Sequence, residues 1–159
     1  MTGHRDDAKS LIFLGAGSGG KSVFYDINKN VLEFYVGEVP SKLFVSGNQD
    51  YFRELRMVRQ PCRMVMCNEP ILDGNVDIRL FKNVIDQKKE LSLKWFHHDE
   101  NQEVSFHMKM IFMMNEMIVP TTKDGKIDSG VKRRLMISNM RGKFVDTDKD
   151  KEREECSAD

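Results

Sequence analysis

The feature that most restricts the fold of this chain is the octapeptide GAGSGGKS at residues 15–22. It matches G-x-x-x-x-G-K-[ST], in which backbone N–H groups surround a phosphate, the lysine contacts the β- and γ-oxygens and the hydroxyl binds Mg²⁺. At average amino-acid usage, roughly one random chain of this length in 200 contains this pattern by chance. The motif predicts a phosphate loop (P-loop) for a nucleoside triphosphate with magnesium, formed by Gly15, Ala16, Gly17, Ser18, Gly19, Gly20, Lys21 and Ser22.

The residues on either side of this motif have the pattern of a strand and a helix. Residues 11–14 are uniformly apolar, as in a buried parallel strand. After the motif, apolar residues recur at helical spacing, which predicts a helix with one face against a sheet; they are Val23, Phe24, Ile27, Val31 and Leu32. The positive end of such a helix adds to phosphate binding.

Further along the chain, apolar segments alternate between strand and helix patterns. Residues 33–48 are predicted to be irregular, with a strand around 43–45, and residues 50–58 to form a short helix. Buried strands are predicted at 63–66 and 110–114, a last strand at 135–137, and a helix over 78–85. Alternation at 91–95 and 104–108 predicts a β-hairpin with a polar tip.

Strands that alternate with helices indicate an α/β fold with a mostly parallel sheet flanked by helices and an inserted β-hairpin. Residues 1–145 are predicted to form one domain, and the charge-rich residues 146–159 a solvated or disordered tail.

Composition limits the possible partners and compartments. Twenty-five basic residues balance twenty-five acidic ones, so the net charge alone does not indicate a nucleic-acid or membrane partner. Three cysteines, an odd number, fit a reducing compartment. No apolar run reaches the roughly 18 residues of a membrane span. The sequence predicts a soluble, intracellular protein without a membrane partner.

Two polar residues follow predicted buried strands, where parallel strands present their ligand-binding edge. Glu69 follows CRMVMCN and is the candidate general base, with a share in magnesium coordination through water. Asn115 follows MIFMM, and its amide is a candidate to hold the attacking water or contact the γ-phosphate.

Basic residues form two further groups. Five of them occur within 132–143 without an acid, and an arginine here, on a neighbouring subunit, is a candidate to neutralise charge on the γ-phosphate. Near the hairpin tip, Lys94, His97 and His98 are candidates to face a nucleic-acid backbone.

Four blocks, GAGSGGKS, RMVMCNEP, HMKMIFMMNEMIVP and SGVKRRLMISNMRGKFVD, resemble the superfamily 3 helicase domain. The similarity is specifically to the poxvirus-type primase-helicase ATPases of large DNA viruses and their satellite-phage relatives. It extends over about residues 11–146. The resemblance implies an AAA+-like P-loop NTPase core that uses ATP and Mg²⁺ in viral-type DNA replication. It also implies single-stranded DNA as a partner, a homo-oligomeric, hexameric ring with nucleotide between subunits, and a primase domain or protein as a further partner.

By position, the resemblance identifies Lys21 and Ser22 as phosphate and magnesium residues, Glu69 as the Walker B acid and Asn115 as the sensor asparagine. Arg134, with Arg133 as second choice, is similar to the arginine finger. Lys94, His97 and His98 fall where the family has its DNA-tracking hairpin.

The chain departs from the family pattern at several points. Gly19 replaces a common asparagine, Asn68 replaces the first of two acids, and Asn139-Met140 replaces a frequent Pro-Phe. The primase domain and helical collar of the family are not recognised before the P-loop, so the expectation is either a motor fragment or a stand-alone minimal ATPase. From the resemblance, the expected function is an ATP-dependent DNA helicase motor. The alternatives are another ring ATPase without DNA translocation and a truncated, non-catalytic nucleotide-binding module.

Overall fold

The structure, a computed structural model, describes residues 8–48, 50–58, 61–72, 76–86, 91–94, 101–104, 106–121 and 125–144. In chain order the elements are β1 (Ser10–Leu14), α1 (Lys21–Leu32), β2 (Val36–Val39), α2 (Tyr51–Met57), β3 (Met64–Asn68), α3 (Ile78–Ile85), β4 (Leu91–Lys94), β5 (Asn101–Val104), β6 (Lys109–Met114), α4 (Ser129–Lys132) and β7 (Leu135–Asn139). The tail predicted at 146–159 lies outside the described residues, as do His97 and His98.

Five strands in these ranges form one sheet in the order β2-β3-β6-β1-β7, and all neighbouring pairs are parallel. β4 and β5 form a separate antiparallel pair. These observations confirm the predicted α/β architecture and the first arm of the hairpin. The second arm, predicted at 104–108, was wrong in position, because β5 ends at Val104. Phe106 and Met108 lie outside any strand, and their burial in the core explains the apolar pattern. Since every strand of the sheet runs in the same direction, the carboxyl ends of β1, β3 and β6 lie at one edge.

The larger core lies on the sheet face that α2 and α3 cover. Alternate strand residues point to this face. Three aromatic rings meet at its centre, where the centroids of Phe44 and Phe112 each lie within 6 Å of Phe81, at 5.0 and 5.7 Å. Leu55 of α2 is fully buried in the same cluster.

The opposite face is smaller and is covered by α1. Phe24 packs edge-on against Phe13 with centroids 4.8 Å apart, and Tyr25 and Leu32 join the same cluster. The predicted inward face of α1 was therefore partly wrong, because three of its members are exposed: Val23 (59%), Ile27 (57%) and Val31 (73%). The larger aromatic side chains set the rotation of the helix, and the valine and isoleucine stripe turns away from the sheet.

Residues 33–48 also differ from the prediction. They contain β2, an edge strand paired with β3, where an irregular segment was expected. The strand predicted around 43–45 was wrong: Leu43 and Val45 donate backbone hydrogen bonds to Pro40 and Lys42 in successive turns. The buried side chains of these turns explain the apolar pattern without a strand. The helices predicted at 50–58 and 78–85 are confirmed as α2 and α3.

Among the described residues, no helix combines the length and the apolar character that a membrane span requires.

Candidate active site

The glycine loop, defined as residues 15–22, joins the carboxyl end of β1 to the first turn of α1. Gly20 has φ of 82° and Ser18 has φ of 61°, so the chain reverses sharply before the helix begins. A side chain on Gly15 would place its Cβ 2.5 Å from the carbonyl oxygen of Met140, which is closer than atoms can approach. Only glycine fits at that position.

Lys21 connects the glycine loop to the end of β6. Its Nζ donates a hydrogen bond to Asn115 Oδ1 at 2.8 Å. The same ammonium donates to the carbonyl oxygens of Gly15 and Ala16, the latter at 3.2 Å. Two residues that are 94 positions apart therefore meet because β6 lies beside β1.

Glu69 lies one strand further away, at the end of β3, and its N–H donates to Met113 O at 2.9 Å. Its φ of 42° is unusual for a residue other than glycine, and the following residue is Pro70. Residues held in such strained backbone conformations are enriched at functional sites.

Together these elements surround a cavity of about 510 Å³. Six residues of the glycine loop line it, from Gly17 to Ser22, and so do Asn115 and Glu69. The structure therefore brings together the candidates predicted on three separate segments. The remaining lining residues are Val23, Asn68, Met113 and Phe144.

Two residues near this cavity were not selected from the sequence. Glu38 on β2 accepts hydrogen bonds from Asn68 Nδ2 at 3.1 Å and from Tyr25 OH at 3.0 Å. Phe144 lines the cavity directly. Glu38 belongs to the strand that the sequence did not predict, whereas the K-F-V block drew attention to Phe144 without indicating a role.

The two candidate finger arginines have different environments. The guanidinium of Arg134 is buried and donates to Asp86 Oδ2 at 2.8 Å and to Gly130 O at 2.7 Å. Arg133, by contrast, is exposed. The carbonyl oxygen of Arg134 accepts a hydrogen bond from the N–H of Ser10 at 2.7 Å, at the amino end of β1.

The arginine pair is therefore remote from the cavity of its own chain. Four residue steps of about 3.3 Å, roughly 13 Å in all, separate the two ends of β1. Neither arginine lines the cavity. A role in chemistry at a glycine loop would thus require a second copy of the chain.

The arms of the hairpin pair from Leu91 with Val104 to Lys94 with Asn101. Lys94 is thus the last residue of β4 before the tip. The predicted DNA-contacting residues His97 and His98 lie outside the described residues, so the assignment of this tip stays a prediction.

Comparison with known proteins gives a similarity of fold. No protein-family model matches the chain, and no curated protein matches it. Two A-form apo structures of the NrS-1 C-terminal region are similar, with TM-scores of 0.56 and 0.58 at 16% and 20% identity. The aligned regions cover 89% and 92% of this chain, but 30% and 33% of the length of the two NrS-1 chains. A further apo structure of that region has a TM-score of 0.57 at 17% identity over 84% of this chain and 30% of its own.

The chain thus spans about a third of the length of these solved structures. At such identities the similarity describes the fold alone.

Proposed function

We propose that this chain is an ATP-hydrolysing motor domain of the superfamily 3 DNA-helicase type, which acts in a ring of identical subunits. The observation that carries the proposal is the convergence of Lys21, Asn115 and Glu69 on one cavity at the carboxyl edge of a parallel sheet. Ligands of open α/β sheets bind at this edge. The sequence motif adds the phosphate chemistry.

Each residue has a distinct role in the proposed reaction. The ammonium of Lys21 binds the β- and γ-phosphate oxygens of ATP, which replace the loop carbonyls as its hydrogen-bond acceptors. Glu69 accepts a proton from the attacking water, and Asn115 holds that water or the γ-phosphate in line. β6 separates β1 from β3, so Asn115 lies between the phosphate loop and the base.

The residues present also fit a magnesium ion. The hydroxyl of Ser22 and the carboxylate of Glu69 are oxygen ligands of the type that Mg²⁺ prefers, and both line the cavity. Magnesium, when bound, neutralises charge on the phosphates. Asn68 contributes an amide at the position where the superfamily 3 pattern has the first of two acids. Its Nδ2 is bonded to Glu38, and its Oδ1 is the atom proposed to face the metal-bound water.

The position of the arginines supports the proposed assembly. Because they lie at the far end of β1 from their own cavity, the proposed finger acts on the glycine loop of a neighbouring subunit. Arg133 is favoured for this role over Arg134, whose guanidinium is already paired with Asp86. The hairpin would then contact single-stranded DNA in the pore of a hexameric ring.

The first test is nucleotide binding, measured by calorimetry with ATP and Mg²⁺. Lys21→Ala should abolish binding, because the phosphates lose their cationic partner in that subunit. Lys29→Ala is the matched control: it removes a lysine from the same helix whose Nζ bonds to Tyr25 OH at 2.9 Å. If Lys21→Ala binds ATP as the parent does, the glycine loop is not the nucleotide site.

The second test separates the helicase proposal from its alternatives. Light scattering with and without ATP should detect a ring, and single-stranded DNA should stimulate hydrolysis. Hydrolysis by an assembled ring that DNA leaves unchanged would favour a ring ATPase without DNA translocation. A monomer that binds ATP but has background turnover would favour a non-catalytic module.

A further inference from the structure

We propose that Phe144 contacts the base of the bound nucleotide and so adds affinity for the nucleoside to the phosphate affinity of the glycine loop. This inference rests on the proposed function, since it assigns a residue to the same cavity. Phe144 lies five residues beyond the end of β7, and among the described residues that line the cavity it is the one with an aromatic side chain.

The backbone near Phe144 is fixed at two points, one at the end of β1 and one in the glycine loop. Met140 donates from its N–H to Leu14 O at 2.7 Å, and Phe144 donates from its N–H to Ser18 O at 2.9 Å. The segment between them therefore runs along the loop.

The ring of Phe144 lies against Gly20. A Cβ added to Gly20 would meet ring atom Cε2 at 2.7 Å, so the absence of a side chain there makes room for the ring. Despite this contact the side chain is 70% exposed. A large apolar ring beside a polar cavity gains little from the protein alone, and its free surface is available to a ligand.

Phe144 and Asn115 contact different parts of the glycine loop. Asn115 bonds to Lys21, whose ammonium also binds the Gly15 and Ala16 carbonyls, whereas Phe144 contacts Ser18 and Gly20. A triphosphate whose γ-end is held by Lys21 and Asn115 has its nucleoside at its other end. This leaves the base on the side of the loop that Phe144 borders.

The chemistry of the ring defines what it can recognise. Phenylalanine has no hydrogen-bond donor or acceptor, so it contacts the π-face that every base presents and discriminates little among bases. Stacking of this kind contributes affinity without sequence selectivity. The ligand class is therefore a nucleoside triphosphate of any base.

The test compares two ligands that differ by the nucleoside, using the whole chain. Titrations with Mg²⁺ and either ATP or inorganic tripolyphosphate are made on the parent, Phe144→Ala and Phe144→Tyr. Phe144→Ala should weaken ATP binding about tenfold and leave the affinity for tripolyphosphate unchanged. Phe144→Tyr keeps an aromatic ring and should bind ATP with the affinity of the parent.

Two kinds of result would overturn the inference. If Phe144→Ala lowers the affinity for both ligands equally, the ring shapes the glycine loop and does not contact the base. If the affinity for ATP is unchanged, the ring makes no contact with the nucleotide. Both results leave the proposed function standing, because the parent still binds nucleotide. A parent that binds neither ligand would overturn the proposed function and this inference together.

Discussion

Arg134 and Asp86 form an ion pair that holds a guanidinium inside the protein, with Nη2 and Oδ2 2.8 Å apart and the Arg134 side chain 7% exposed. One turn earlier on α3, Lys82 pairs with Asp128 at 2.8 Å. The hydrogen bond from Lys82 lowers the pKa of Asp128, whose carboxylate also caps α4 by accepting from the N–H of Val131. The two pairs fix α4 to α3, which presents Arg133 at the surface.

This arrangement predicts that Arg134 contributes chiefly to stability. Arg134→Ala leaves the Asp86 carboxylate, which is 23% exposed, without its partner, and this should lower the free energy of unfolding by about 1–3 kcal/mol. Arg133→Ala is the matched control and should change stability by less than about 0.5 kcal/mol. Urea unfolding measures both. Equal, small losses for the two variants would show that the buried pair contributes little.

A second prediction concerns the finger. Arg133→Ala should bind ATP but hydrolyse it up to ~10³-fold more slowly, which is typical of the loss of an arginine finger. Mixing it with Lys21→Ala subunits should recover some turnover, because one type of interface then pairs an intact loop with an intact arginine. Mass measurement should confirm that mixed rings form. If these rings are no more active than either variant alone, the arginine does not act between subunits.

Local patterns were sufficient to predict much of the fold and the cavity. The glycine motif, the apolar runs and the polar residues that end them identified β1, β3 and β6 and, through the parallel arrangement, the meeting of Lys21, Asn115 and Glu69. Each of these depends on residues that are adjacent in sequence or on the common direction of the strands.

The remaining features depend on contacts between distant segments. The burial of Arg134 is set by Asp86, 48 residues away, and the rotation of α1 by the fit of Phe24 against Phe13. β2 is short and has Gly37 and Glu38 at its centre, so its apolar signal is weak, and pairing with β3 stabilises it. No local pattern contains this information.

The close approach of Met140 to Gly15 predicts a strong contrast between two glycines of the same loop. Gly15→Ala would place a methyl group 2.5 Å from a backbone carbonyl, whereas a Cβ on Gly17 meets nothing within 4 Å. Gly15→Ala should therefore lower the free energy of unfolding by about 1–3 kcal/mol, as overpacking does, and weaken ATP binding. Gly17→Ala should keep parental stability in the same thermal or urea unfolding experiment. Similar stability of the two variants would contradict the observed close approach.

The hairpin gives a prediction about DNA. Lys94→Ala combined with His97→Ala should weaken single-stranded DNA binding and preserve ATP turnover measured without DNA. For every phosphate that the protein no longer neutralises, the slope of log K against log salt should become shallower by ~0.7. Lys29→Ala on α1 is the control and should keep the parental slope. If the double variant also keeps it, these side chains do not bind the phosphate backbone.

The last prediction separates chemistry from binding at Glu69. Glu69→Gln keeps the size and hydrogen bonding of the side chain but removes the base, so ATP should bind with near-parental affinity while turnover collapses. Calorimetry and steady-state hydrolysis measure the two effects on the same preparation. Turnover within about threefold of the parent corresponds to less than ~1 kcal/mol of barrier and would exclude Glu69 as the catalytic carboxylate.

The left-handed backbone of Glu69 provides an independent control. With φ of 42° in a residue that has a Cβ, this position carries a strain on the order of 1 kcal/mol, which glycine does not share. Glu69→Gly should therefore match or exceed the parent in stability and still fail to hydrolyse ATP. A residue retained for the fold would behave in the opposite way, since both substitutions would lower the free energy of unfolding. Gain or retention of stability together with loss of turnover is the result expected of a carboxylate held in a strained position for catalysis.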